Sequence, residues 1–181
     1  WVDFVPVSLL TEAPLVLALR PMPDVDDLAA LVRHARANPG TLSYSSAGPG
    51  TTPHLAMEMF QRATRTGWLH LPYKSGAEAV AAVAGGQADA VVEAATVLMP
   101  MLQAGRLRPL CAAGARRCAQ LADLATATEL GLEEFRVTAP WLGLAAPRGT
   151  PQARLAVLQA AAADAMSDPA LRLRLLDRGL E

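Results

Sequence analysis

Three short segments carry side chains and backbone freedom suited to holding a small molecule. The first is Tyr44-Ser45-Ser46-Ala47-Gly48-Pro49-Gly50-Thr51-Thr52-Pro53-His54. It predicts a strand, then a loop of small residues, then a helix capped by Thr52 with Pro53 at its first position. Glycines let a backbone close on a ligand, and the free amides of a helix start attract an anion without any arginine. Ser45, Ser46, Ala47, Gly48, Gly50, Thr51 and Thr52 are therefore candidate ligand contacts. The same residues also suit an ordinary tight strand-to-helix turn, and local sequence weighs the two readings equally. No Gly-Lys-Ser/Thr follows, and the spacing is not G-x-G-x-x-G, so neither phosphate-binding signature is present.

The second segment is His70-Leu71-Pro72-Tyr73-Lys74-Ser75-Gly76, where Tyr73 and Lys74 are candidates to line a pocket for an acidic ligand. Taken alone, Lys74 reads as a solvated surface residue. The third is Glu93-Ala94-Ala95-Thr96, in which Thr96 offers a hydroxyl and an amide. Each segment follows a predicted strand and precedes a predicted helix. In an open α/β sheet that places all three at the edge where ligands collect. Ser45, Ser46, His54, His70, Asp89 and Glu93 also supply the residue types of a hydrolase triad. However, there is no G-x-S-x-G elbow, and no serine is expected on a strained turn beside a histidine at a suitable strand end. His54 is expected to pack against the loop or face solvent, and the chain is not expected to be an enzyme.

Composition narrows the field further. Sixteen Lys+Arg against seventeen Asp+Glu give a net charge of −1, so no bulk field draws in nucleic acid or anionic lipid. Aromatic residues are only 4%, too few for a base-stacking surface, whereas 52% hydrophobic residues are ample for a core. No apolar run reaches the roughly 18 residues of a membrane span. His34, His54 and His70 fall in separate segments, and Cys111 and Cys118 lack metal-ligand spacing, so neither a metal site nor a cofactor is expected. A Cys111–Cys118 bridge is conceivable only if their Cα atoms come within about 7 Å, and a buried apolar Cys111 is preferred. The chain opens at Trp1 with no basic or apolar leader, which reads as a processed or truncated product.

The elements that must position these loops alternate regularly. Residues 15–19, 42–46, 68–71, 88–93 and 107–112 read as strands. Asp24 is expected to cap a helix with Asp26 and Asp27 in its first turn and Leu28, Leu31, Val32 and Ala35 on its inner face. In the next helix Leu55, Ala56, Met59, Phe60 and Ala63 share one face. Ser75-Gly76-Ala77-Glu78 is a capping box. Pro100 implies a kink or late start in the helix 96–103. A short helix is expected near 126–130, a long strand over 135–146 returning along the sheet, and helices over 151–166 and from 169 to Gly179. Strands separated by helices imply parallel β-α-β units and an α/β fold with a five-stranded, mainly parallel sheet.

Certain residues recur here in one order: Asn38-Pro39-Gly40, Tyr44-Ser45-Ser46-Ala47-Gly48, Pro53-His54-Leu55, His70-Leu71-Pro72-Tyr73-Lys74, Gly85-Gly86-Gln87, Gly105-Arg106-Leu107-Arg108 and Trp141 through Pro151. Together they resemble the Bug family, the substrate-binding receptors of tripartite tricarboxylate transporters. The resemblance implies a periplasmic-binding-protein fold of the two-lobed, two-crossover type (type II). It also implies a periplasmic location, where a disulfide would persist, and a small carboxylate or amino-acid-like ligand handed to a membrane permease. The family's Tyr-x-Ser-Ala-Gly loop maps onto residues 45–52, and its frequent aspartate maps onto Glu93, a longer acid. Pro49 stands where a polar residue or glycine is more usual. By the same resemblance, 21–139 is a complete second lobe, while 1–20 and 140–181 are remnants of the first lobe and its crossings.

The reading is thus a receptor, or a fragment of one, for a carboxylate-bearing solute. The effector domain of a LysR-like regulator is the alternative, without the N-terminal helix-turn-helix it would want; a small α/β hydrolase is a weaker one. Phe4, Leu9, Leu10 and the helices 151–166 and 169–178 are expected to present an uncovered apolar face and to drive homo-oligomer formation.

Overall fold

The computed structural model describes residues 3–181; Trp1 and Val2, within the expected 1–20 segment, lie outside the described ones. A five-stranded sheet in the order β4-β3-β5-β2-β6 forms the main body. Its strands are β2 (Leu15–Leu19), β3 (Ser43–Ser46), β4 (Leu69–Pro72), β5 (Ala90–Ala94) and β6 (Arg108–Ala112). Helices α1 (Leu28–Ala37) and α2 (Thr52–Thr64) cover one face, and α3 (Gly76–Ala84) and α4 (Ala95–Gln103) the other. Period-two alternation along β2 accounts for this: Leu15, Leu17 and Leu19 face the Leu31–Phe60 side, and Val16 and Ala18 the Val80–Leu98 side. A strand buried on both faces must be apolar at every position, and all five residues of β2 are buried.

The sheet is mixed. β3 pairs in parallel with β4 and β5, but β2 runs antiparallel to both β5 and β6. β2 starts at the edge where the other four strands end, because the chain arrives there from β1 (Phe4–Glu12). Parallel β-α-β units therefore hold except at β2, and the five-stranded sheet runs from Leu15 to Ala112. β7 (Trp141–Pro147) does not return along this sheet: it pairs antiparallel with β1 in a separate two-stranded ribbon. The residues before it leave the expected strand, as Glu133–Phe135 forms a 3-10 turn that buries Phe135 edge-on to Phe60, centroids 5.2 Å apart. The terminal helices α5 (Gln152–Ser167) and α6 (Pro169–Leu176) have no buried residue; α5 rests on β1, where Gln159 Nε2 donates to the Val7 carbonyl at 3.2 Å.

Several local expectations shift by a turn. The cap of α1 is Asp27, which accepts from the Ala30 amide at 2.6 Å, while Asp24 turns with φ 60° and Asp26 pairs with Arg108. The helix begins where a carboxylate can reach an amide three residues on. In α2 the inner face is Ala56, Met57, Phe60 and Thr64, leaving Leu55 and Met59 exposed. α4 starts directly after β5 and runs through Pro100, which leaves the Thr96 carbonyl without its usual amide partner. Residues 126–130 form turns, not a helix, held by Glu129 accepting from the Thr126 amide at 2.7 Å. Among the described residues no helix is long and apolar enough to cross a membrane.

Candidate functional site

The ends of β4, β3 and β5 lie side by side, so the three loops singled out above emerge from neighbouring strands, spaced about 4.8 Å apart. Each leads into a helix, and the N-termini of α2, α3 and α4 point toward one edge. Ser75 caps α3 by accepting from the Glu78 amide at 3.2 Å, and Glu78 reaches back to the Lys74 amide at 3.3 Å. α2 and α4 have no side-chain cap. Thr51, not Thr52, is the N-cap residue of α2, and its hydroxyl donates to the Gly48 carbonyl at 2.7 Å. The first-turn amides of α2 are thus left to solvent or to an anion, next to the positive end of the helix dipole.

The loop is held in shape from within. Gly48 and Gly50 take φ 112° and 80°, a backbone region that suits only glycine at low cost. The Gly48 amide donates to Ser46 Oγ at 3.1 Å and the Gly50 amide to His54 Nδ1 at 3.3 Å. His54 therefore packs against the loop. Ser45 faces the opposite side of the sheet, fully buried, with its hydroxyl donating to the Ala79 carbonyl at 2.8 Å. Its side chain fastens β3 to α3. Ala47, Gly48, Gly50, Thr51 and Thr52 lie at the edge itself, half-buried or exposed.

Tyr73 is half-buried against the α3–α4 side, and its amide donates to the Ser46 carbonyl at 2.9 Å. Lys74 is exposed. Glu93 is buried; its Oε1 accepts from the Ala94 amide at 2.8 Å, and burial pushes its pKa up against the pull of that amide. Thr96, in the first turn of α4, is half-buried beside Gly179 from the chain's last turn.

Two groupings were not legible in the sequence. Ser46 Oγ sits 2.7 Å from His70 Nε2, with the serine inside β3 and not on a strained turn. Parallel register pairs Tyr44 with His70, so Ser46 is the diagonal neighbour of His70 on the same face. Among the described residues no carboxylate hydrogen-bonds to His70 in the position of a triad's third member. The other grouping is a cavity of about 380 Å³ at the ends of β2 and β6, lined by Glu12, Pro14, Arg116, Arg136 and Thr138 among others. Arg116 Nη2 meets Glu12 Oε2 there at 2.5 Å. These residues are scattered over the sequence, and only folding makes them neighbours.

Cys111 and Cys118 are both free and buried, and they lie on opposite faces of the sheet. Burial pushes the Cys111 thiol up to about 12 and also raises that of Cys118. Among the described residues no group of three or more metal-ligating side chains comes together.

Comparison with known proteins identifies the family and the fold. The family model for TctC, the tripartite tricarboxylate transporter family receptor, matches residues 1–181. Protein BugT of Bordetella pertussis is 34% identical over 148 residues, covering 82% of this chain and 45% of that protein. Among solved structures, R. palustris Rpa4515 with adipate superposes with a TM-score of 0.86 at 31% identity, over 99% of this chain and 60% of the other. MatC from Rhodopseudomonas palustris with bound malate gives 0.80 at 32%, over 98% and 60%. The chain spans about half the length of the curated relatives it matches.

Proposed function

The chain belongs to the receptor family of tripartite tricarboxylate transporters, and on that premise we propose that it binds a small carboxylate-bearing solute at the loop edge of its five-stranded sheet. The family's receptors are periplasmic, and we place this chain there too, as part of a receptor that hands its solute to a membrane permease. Residues 13–139 form one lobe in this reading, with the β1–β7 ribbon as the crossing and α5 and α6 belonging to the other.

The observation that carries the reading is the loop 47–52, which joins two positive-φ glycines to an uncapped helix start. Backbone amides and a helix dipole suit a carboxylate, which needs several donors in a small arc. Thr51, Thr52, Tyr73 and Thr96 supply further polar contacts, Lys74 a mobile cation, and Ala47 an amide. Ser45 and Ser46 hold the strand end in place, and Glu93 closes the floor under the α3 start. Bound adipate and malate in the two similar structures favour a dicarboxylate.

Charge–dipole attraction at an exposed loop is worth roughly 0.3–1 kcal/mol, far below what tight binding requires. The 181-residue chain is therefore expected to bind adipate or malate at about millimolar Kd, roughly −4 kcal/mol. Calorimetry of this chain against dicarboxylates, tricarboxylates and amino acids tests this. Gly48→Val and Gly50→Val should each abolish binding, because valine cannot take the loop's positive φ. Binding that survives both substitutions overturns the loop assignment.

A further inference from the structure

Both glycine amides of the loop already have an acceptor, and that of Gly50 is one a proton would remove. The Gly50 amide donates to His54 Nδ1 at 3.3 Å, so that nitrogen carries no hydrogen. The Gly48 amide donates to Ser46 Oγ at 3.1 Å, and Ser46 Oγ lies 2.7 Å from His70 Nε2. The Ser46–His70 bond runs in one of two directions: the hydroxyl donates to a bare Nε2, or an Nε2–H donates to the hydroxyl oxygen while the hydroxyl turns to the Gly48 carbonyl at 3.4 Å. The two imidazoles are themselves neighbours, with centroids 4.5 Å apart, and His70 stacks on Tyr44 at 4.7 Å. One network therefore joins both loop amides to two titratable rings.

We propose that His54, with His70 stacked beside it, couples this loop to protons, so that a carboxylate held at the Gly50 amide is taken up together with one proton carried by the pair of rings. The proposal rests on the carboxylate reading above and deepens it.

The chemistry balances simply. A solvent proton adds to His54 Nδ1, and the Gly50 N–H···Nδ1 bond breaks. The freed amide and the new Nδ1–H are then two donors facing the loop, beside one positive charge. A proton on His70 Nε2 makes that nitrogen a donor to Ser46, with the hydroxyl turned to the Gly48 carbonyl, 3.4 Å away, and the Gly48 amide still on Ser46 Oγ. Two rings this close do not both charge readily, so the pair takes up one proton. Burial first, then His54, lowers the pKa of His70 from its usual value, while Glu58 opposes them.

The groups facing the pair are few. On α2, Glu58 Oε1 accepts from the Tyr44 hydroxyl at 2.7 Å and from Gln61 Nε2 at 2.9 Å. On β3 they are Tyr44, whose pKa burial and Glu58 raise far above the working range, and Ser46. Lys74, on the loop after β4, is exposed with its amide on Glu78. The bound carboxylate is thus the only new charge to compete for the proton.

Nuclear magnetic resonance of the labelled 181-residue chain, with adipate as probe, tests this between about pH 6 and about pH 8, where histidine titrates and adipate stays ionised. The adipate Kd should rise by as much as about tenfold per pH unit toward the alkaline end. His54→Gln, which keeps an acceptor for Gly50 without a titrating ring, should flatten that profile; His34 on α1 is the internal control. Adipate that shifts the Gly48 and Gly50 amides with a pH-independent Kd overturns the proton coupling and leaves the carboxylate site standing. Adipate that shifts neither amide overturns the site, and the coupling with it. Should His54→Gln fail to fold, the wild-type Gly50 amide shift without adipate gives the answer. It must inflect together with the His54 ring signals, and a flat Gly50 shift through that titration overturns the proposal.

Discussion

Glu93 occupies space that exists only because residue 76 is glycine: a Cβ there would lie 2.3 Å from Glu93 Oε2 and 2.9 Å from its carboxyl carbon. The longer acid at this position therefore does not extend into the loop edge. It folds back over the first turn of α3, onto its own neighbour's amide. Gly76→Ala must push the Glu93 carboxyl aside, and because that carboxyl is the far end of a flexible side chain the net loss should stay within about 1 kcal/mol, set against alanine's better helix propensity. Adding Glu93→Ala should return most of that loss. Chemical denaturation of the single and double variants measures the coupling, and strict additivity would break the link between the two residues.

The same carboxyl predicts a pH dependence of folding. Burial raises its pKa above the ordinary value of about 4.5. An acid whose pKa rises on folding holds its proton more tightly in the native state. Its contribution is complete below the unfolded value and is lost as pH climbs through the folded one. Glu93→Gln should thus gain stability relative to wild type as pH rises from about 4.5 toward neutrality. Urea unfolding at both ends of that window checks it: an unchanged difference would contradict the assignment.

At the opposite end of the sheet, Asp89 ties three segments together. It accepts from Arg20 Nε at 2.9 Å and Nη2 at 2.8 Å, and from the Ser43 amide and hydroxyl at 2.8 and 2.9 Å. Removing a half-buried carboxylate with four donors leaves each of them unpaired. Asp89→Ala should cost about 2–3 kcal/mol, less than a fully buried pair because Arg20 still reaches water. Thermal melts report this directly, and carboxylate binding at the far edge should be unchanged.

Cysteines on opposite faces of a sheet cannot meet without dismantling it. Unfolded without reductant, the chain should titrate two thiols, and the folded chain almost none at about pH 8, since the buried groups stay protonated. A count of zero after unfolding would mean a bridged form exists.

Phe4, Leu9, Trp141 and Leu142 on the β1–β7 ribbon are all half-exposed or more, as is Val157 on α5. Apolar surface of that extent associates. The 181-residue chain should show concentration-dependent self-association by light scattering, and Leu142→Glu should weaken it without lowering the melting temperature. A monomer at every concentration would contradict this.

How much of this was readable beforehand divides by the range of the interactions. The three loops were found because each strand, loop and cap signal lies within a dozen consecutive residues. The bond from Ser46 to His70 depends on which residues of β3 and β4 stand opposite, and no local signal encodes register. The start of α1 failed for a subtler reason, since Asp24, Asp26 and Asp27 are all acceptable caps until Arg108, from β6, engages one of them. The reversal of β2 was hidden because a strand buried on both faces looks the same in either direction.

That reversal also brings the two ends of the five-stranded unit together. The Ala13 amide bonds to the Pro140 carbonyl at 2.8 Å, so the chain enters and leaves at a single point. Topologically, residues 13–139 are an insert in a two-stranded stem. A peptide linker of a few residues can join those ends, and the exposed Gly85-Gly86 turn offers a place to open new ones. Such a circular permutant keeps every pairing in the sheet and both of its cores. It therefore provides the loop edge as a freestanding module, detached from the stem and its apolar surface.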